Sequence, residues 1–316
     1  MSTDAPERPL ANLWGNLRCL LRLMRRLPPD EFSRQLNSII SPNGQTLFDA
    51  TRQDLRKAQT RANFAVREAL YEPDPWLREA RDRHRGERCF LLGCGPSLKN
   101  LDTSLLRGER VMATNGAFLL EGIEPDYYMT VSHYFFRSHL EAIRNLGCAR
   151  RFLPLYLHEL HSDSPTTWLN TVEADEYGDF SPQRPLRFSD APHERVFLGG
   201  TVIFACLQIL YYLGFEEVIL LGVDHSYASA GQQERKDAYW IDSQSMQDHF
   251  MPKYYKEGTQ VNIDMPAMDR AYTLSVDTFR QDGRRLLNAT PGTKLEIIPK
   301  IDLEAVTSLG STNARG

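Results

Sequence analysis

The chain has 316 residues, of which 41% are hydrophobic and 25% charged, with 37 Lys and Arg against 41 Asp and Glu for a net charge of -4. That length can bury a full core with an appendage, and the slightly acidic balance gives no global electrostatic reason to bind nucleic acid. Cys19, Cys89, Cys94, Cys148 and Cys206 form no C-x-x-C pair, which argues against a disulfide framework or a cysteine zinc site and fits a reducing cytoplasm.

The opening residues lack the basic start and apolar core of a secretion signal, and no run approaches the roughly 18 apolar residues of a membrane span. From Leu13 to Leu27, Leu13, Leu17, Leu20, Leu21, Met24 and Leu27 share one side of a helix, and Arg18, Arg22, Arg25 and Arg26 lie largely on the other. Residues 13–27 therefore offer a peripheral contact with the inner face of an anionic membrane, although packing of the Leu side on the rest of the protein satisfies the same pattern more often. Helical patterns continue over residues 30–40 and 45–70. Residues 1–85 read as a helical N-terminal extension.

The most informative stretch is RCFLLGCGPSL, Arg88 to Leu98. An apolar strand, Cys89 to Leu92, runs into Gly93, Cys94, Gly95, Pro96 and Ser97; two glycines let backbone N–H groups approach a phosphate or ribose, and Ser97 adds a hydroxyl. The spacing is neither that of a dinucleotide fingerprint nor that of a Walker loop, and a tight turn without a ligand fits the same residues. Further strands follow over Arg110–Thr114, ending at Asn115, over Tyr127–Val131, ending at Ser132, and over Arg151–Leu157. Apolar runs that each finish in small or polar residues suit an open, mostly parallel sheet with its ligands outside the carboxyl ends, which makes Asn115 and Ser132 pocket candidates. Residues 160–195, rich in Ser, Pro, Asp and Thr, read as a long loop.

Gly199, Gly200 and Thr201 open a largely apolar helix to Leu213, and Val218 to Leu221 is a buried strand ending in Gly222-Val223-Asp224-His225. The glycine-rich helix start supplies unpaired N–H groups and a positive dipole end. Asp224 suits a ribose hydroxyl, a Mg²⁺ ion or an acceptor, and equally a cap on the next loop. Residues 226–265 form a polar, aromatic lid with Tyr239, Trp240, Tyr254 and Tyr255, in which His249 is the general-base candidate. A helix from Pro266, a strand at Arg285–Asn288 and an apolar run at Leu295–Ile298 close the domain, and 307–316 reads as a tail.

LLGCGPSL, the Asn115 strand end, GGTVIFACLQILYYLGFEEVILLGVDHSY and LLNATPGTKLEIIP together resemble the MptE-like family, named for archaeal 6-hydroxymethylpterin pyrophosphokinases. The same order of blocks resembles the family 42 bacterial sialyltransferases, in which an asparagine stands where this chain has Cys94. The resemblance covers residues 88–306. It implies a Rossmann-like α/β domain over 86–306 with helices on both faces, in which Gly93, Cys94, Gly95, Pro96, Ser97, Asn115, Ser132, Gly200 and Thr201 bind the nucleotide. His249 would then be the base, Tyr254 or Tyr255 would lie near the phosphate with Asp224 in the site, and a sugar would pass from a CMP-activated donor to a glycan or small-molecule acceptor without a required cofactor. The pyrophosphokinase alternative puts ATP with Mg²⁺ in the same pocket, with Asp224 and either Asp242 or Asp248 near the metal. A non-catalytic nucleotide-binding protein is the third expectation. All three are compatible with a homo-oligomer.

Overall fold

The computed structural model describes residues 71–155, 157, 165–172, 186–226, 250 and 265–310, with the backbone alone of 134, 233–235, 238–242, 260–262 and 308–310. One compact unit comprises Pro73–Glu173 and Pro185–Gly316. The other, Met1–Glu72 with Ala174–Arg184, lies outside the described residues except at Tyr71 and Glu72, and the basic helix expected over 13–27 lies outside with it.

The strands in chain order are β1 Arg88–Leu92, β2 Arg110–Thr114, β3 Tyr127–Met129, β4 Arg150–Pro154, β5 Thr166–Leu169, β6 Thr171–Val172, β7 Val196–Phe197, β8 Glu217–Leu221, β9 Gln233–Arg235, β10 Ala238–Asp242, β11 Gln260–Asn262 and β12 Arg285–Asn288. Seven of them make one sheet in the order β12-β8-β1-β2-β3-β4-β5, and every pairing in it is parallel. The helices are α1 Pro75–Glu79, α2 His133–Ser138, α3 Leu140–Arg144, α4 Val202–Tyr212, α5 Met265–Gln281 and α6 Leu303–Gly310. This is the Rossmann-like α/β class that the sequence predicts.

Side chains alternate across a pleated strand, so a central strand buried on both faces must be apolar throughout. In β1, Cys89 and Leu91 join one core layer and Phe90 and Leu92 the other; in β8, Val218 and Leu220 oppose Ile219 and Leu221 in the same way. The first layer is closed by α1, α4 and α5 through Leu77, Cys206, Leu210, Tyr272 and Phe279. The second is closed by Leu98 and Leu106 from two short 3₁₀ turns, by Phe135 and Ile143 of α2 and α3, and by Val306 of α6. Helix α4 is buried on nearly all sides, as its largely apolar sequence requires. Its one polar side chain at depth, Gln208, accepts from the N–H groups of Ser189 and Phe197 and donates to the carbonyls of Phe197 and Phe204.

Three segments differ from the sequence reading. The loop expected over 160–195 contains β5, the sheet's edge strand, and the short β6; the β-branched and aromatic Thr166, Thr167 and Trp168 suit a half-covered edge despite their polar surroundings. Leu77 and Ala80 of the expected extension enter the first core layer. Helix α6 continues to Gly310, past the point where the tail was expected. No helix among the described residues is long and apolar enough to cross a membrane.

Candidate functional site

The chain steps from β1 outward through β2, β3, β4 and β5, and later from β8 to β12 on the other side of β1. The carboxyl ends of β1 and β8 therefore flank a topological switch point, where open α/β sheets hold their ligands. A cleft of about 100 Å³, partly open to solvent, lies there. Its lining comes from the Gly93–Gly95 turn, Thr114 and Asn115, the first turn of α4 from Thr201, the Gly222–Ser226 segment after β8, and Tyr272 of α5.

The glycines of the turn serve the neighbouring strand. Gly93 N–H donates to Leu221 O and Gly95 N–H to Gly222 O, both at 2.8 Å, so the β1/β8 ladder continues past the strand ends. A Cβ at Gly93 would lie 2.4 Å from Gly222 O, and one at Gly95 would lie 1.8 Å from Asp224 Oδ2. The close approach that the sequence reading assigned to a ligand is taken by the Gly222–Asp224 backbone and carboxylate.

Asp224 fastens the two strand ends together. Its Oδ1 accepts from Ser97 N–H at 3.1 Å and its Oδ2 from the Ser97 hydroxyl at 2.8 Å, while its carbonyl accepts from Lys294 N–H at 2.9 Å. Cys94 is turned into the second core layer. Its thiol donates to Thr114 O at 3.3 Å, and burial pushes it up to about 12 even with the Gly116 and Ala117 backbone nearby, so it stays neutral. The Cys94 carbonyl accepts from Phe250 N–H at 3.0 Å.

Asn115, at φ +42, accepts from the Thr130 hydroxyl at 2.7 Å through its amide oxygen. Thr201 caps α4, its hydroxyl accepting from Ile203 N–H at 3.3 Å, which brings the positive end of an eleven-residue helix to the cleft. The Ser132 hydroxyl caps α2 by accepting from Phe135 N–H, and Ser132, Pro96 and Gly200 do not line the cleft. Of the sequence candidates, Gly93, Cys94, Gly95, Asn115, Thr201 and Asp224 meet around the cleft, with Ser97 held against Asp224. His249, Tyr254 and Tyr255 lie outside the described residues.

His225 was not among the sequence candidates. It lines the cleft at φ +52, its Nε2 is 2.9 Å from Asp269 Oδ1 on α5, and its ring meets Tyr272 edge-on at 5.6 Å. An ionised carboxylate only accepts, so Nε2 carries the proton in this pair. Two signals in the sequence point to it: a histidine directly after a strand-end Gly-x-Asp, and an acidic residue three positions before a buried tyrosine on one helix face.

No group of three or more His, Cys, Asp or Glu residues placed to hold a metal ion occurs among the described residues. Asp224 directs both oxygens at Ser97, and the side chains of Asp242 and Asp248 lie outside the described set, so the residues described do not make a Mg²⁺ donor set.

No protein-family model matches the chain, and no curated protein matches it. Among solved structures it is similar to the sialyltransferase CstII from Campylobacter jejuni in complex with cytidine-5'-monophosphate, at 16% identity and a TM-score of 0.40, over 69% of this chain and 86% of that one. It is also similar to CstII in complex with CMP-3FNeuAc, at 13% identity and a TM-score of 0.34, over 68% and 86% of the two chains.

Proposed function

We propose that the chain is a nucleotide-dependent transferase, a glycosyltransferase that moves a sugar from a CMP-activated donor to a surface-glycan acceptor. The observation that carries this reading is the cleft at the β1/β8 switch point, which combines the Gly93–Gly95 turn, Asn115 and the amino end of α4. The ordered sequence blocks that resemble the sialyltransferases add to it. The nucleotide lies over the Gly93–Ser97 turn with its phosphate toward Thr201, where the helix dipole favours negative charge.

In this reading His249 takes the acceptor hydroxyl proton, and the hydroxyl of Tyr254 or Tyr255 stabilises the departing phosphate. The acceptor oxygen bonds the anomeric carbon, the bond from that carbon to the phosphate oxygen breaks with its electron pair on the phosphate, and CMP leaves. No metal takes part in these steps as proposed.

Thermal unfolding with CMP, CDP, UDP and ATP, each with and without Mg²⁺, tests the reading. CMP alone should stabilise the protein by about 2.7 kcal/mol at a hundredfold excess over its Kd. Stabilisation by ATP with Mg²⁺ only would overturn it in favour of a diphosphokinase. CMP binding with no transfer to any acceptor would favour a nucleotide-binding protein without catalysis.

A further inference from the structure

Asn115 borders the cleft and takes a left-handed backbone at φ +42, a conformation that asparagine tolerates better than most residues. Its amide oxygen accepts from the Thr130 hydroxyl at 2.7 Å. Thr130 is fully buried and does not line the cleft. A hydroxyl has one proton to give, and Asn115 Oδ1 is the acceptor this one reaches: Ser132 N–H donates to the same Oγ1 at 3.3 Å, and the Tyr128 hydroxyl makes no hydrogen bond. Turning the amide over would set Nδ2 against Oγ1 and leave the threonine proton buried without an acceptor, which costs more than the hydrogen bond itself is worth. The amide is therefore fixed with its oxygen toward Thr130. Oδ1 and Nδ2 diverge from one carbon, so Nδ2 points away from the buried threonine. Among the described residues Nδ2 meets no acceptor, and it is not one of the buried unpartnered polar atoms, so its N–H groups stay open where Asn115 borders the cleft. Asp224 directs both its oxygens at Ser97. The open side-chain group that these two residues leave is a donor, and it calls for an acceptor atom on the ligand.

We propose that Thr130 is a positioning residue of this cleft: its hydroxyl holds the Asn115 amide so that Nδ2 donates to an acceptor oxygen of the bound nucleotide. The proposal rests on the reading of the cleft as a nucleotide site and deepens it. Thr130 itself does not touch the ligand and acts on it through Asn115.

A double-mutant cycle tests the coupling. Titration calorimetry of the full chain with CMP and cytidine, and with ATP and adenosine, is run on wild type, Thr130→Val, Thr130→Ser, Asn115→Gly and the Thr130→Val/Asn115→Gly pair, each checked for a cooperative thermal transition. Valine keeps the shape of threonine without the hydroxyl, and glycine keeps the left-handed backbone without the amide. Should the valine variant not fold, Thr130→Ala takes its place in the cycle. One hydrogen bond predicts about threefold to tenfold weaker binding in Thr130→Val, near-wild-type binding in Thr130→Ser, and about tenfold weaker binding in Asn115→Gly with no further loss in the double variant. A loss confined to CMP places the acceptor on the phosphate, and an equal loss for cytidine places it on the nucleoside. Unchanged binding in Asn115→Gly would overturn the assignment. So would the same loss from Thr130→Val with and without Asn115, since that is the mark of a residue that only holds the fold, Ser132 N–H included. If wild type takes ATP and not CMP, the sugar-transfer reading fails while the ATP and adenosine pair still decides the role of Thr130. If wild type takes neither nucleotide, both fail.

Discussion

At the scale of single residues, the glycine turn carries the sharpest prediction. A methyl at Gly95 has to displace the Asp224 carboxylate, which lies 1.8 Å from where the Cβ would stand. Gly95→Ala should therefore release Ser97 from Asp224 and destabilise the protein by about 2 kcal/mol, measured by urea unfolding, with loss of nucleotide-dependent stabilisation. Cysteine reactivity is the second readout at this scale. Cys89, Cys94 and Cys206 are buried, and burial raises all three thiols, so iodoacetamide at pH 8 should leave them unmodified in the native protein and alkylate them on unfolding. Modification of Cys94 in the folded state, seen by peptide mass spectrometry, would contradict its place in the core. These glycines show how far a motif can be read: the turn was visible from Gly93, Gly95 and Ser97, but what needs the space became visible only when β8 was set beside β1.

At the scale of elements, two buried polar side chains decide how segments are held. Gln208 satisfies four backbone groups of the Ser189 and Phe197 segments and of α4, so Gln208→Leu, although more apolar, should cost about 3 kcal/mol in chemical denaturation. His84, after α1, stacks on Phe215 at 4.4 Å and bridges Glu87 and Tyr127. Glu87 accepts from Nδ1, so Nε2 accepts from the Tyr127 hydroxyl, and the ring is neutral. Burial holds its pKa below the usual 6.5, so the unfolded chain takes up a proton there that the folded one refuses. Stability should fall as pH drops below about 6.5, and the fall between pH 7.5 and 5.5 should be smaller in His84→Gln. The strands and helices with long apolar runs, β1, β2, α4 and β8, were legible because burial on both faces leaves a continuous hydrophobic signature. Strand β5 was not, because four residues at a half-covered edge can be polar and still pair.

At the scale of the whole molecule, the sheet order sets a gradient of protection. β1 and β8 lie inside the sheet, with strands on both sides, and β5 lies at one edge, so hydrogen exchange should be much slower at Phe90 and Ile219 than at Thr167 and Trp168. Exchange at β5 as slow as at β1 would mean that another element covers that edge. The sequence blocks located the cleft well, since strand ends and helix starts are local. They missed His225 and Asp269, which stand 44 residues apart and meet only when α5 packs beside the end of β8. The left-handed backbone at this position has one more consequence. Among the described residues, Asp82, Asn115 and His225 are the non-glycine residues with positive φ, and two of these three border the cleft. Glycine would relieve the strain at His225, whereas asparagine already tolerates this backbone at 115. Variants selected for heat resistance alone should therefore drift toward glycine at 225 but keep Asn115, whose amide oxygen holds the Thr130 hydroxyl, whereas selection on turnover should keep both side chains.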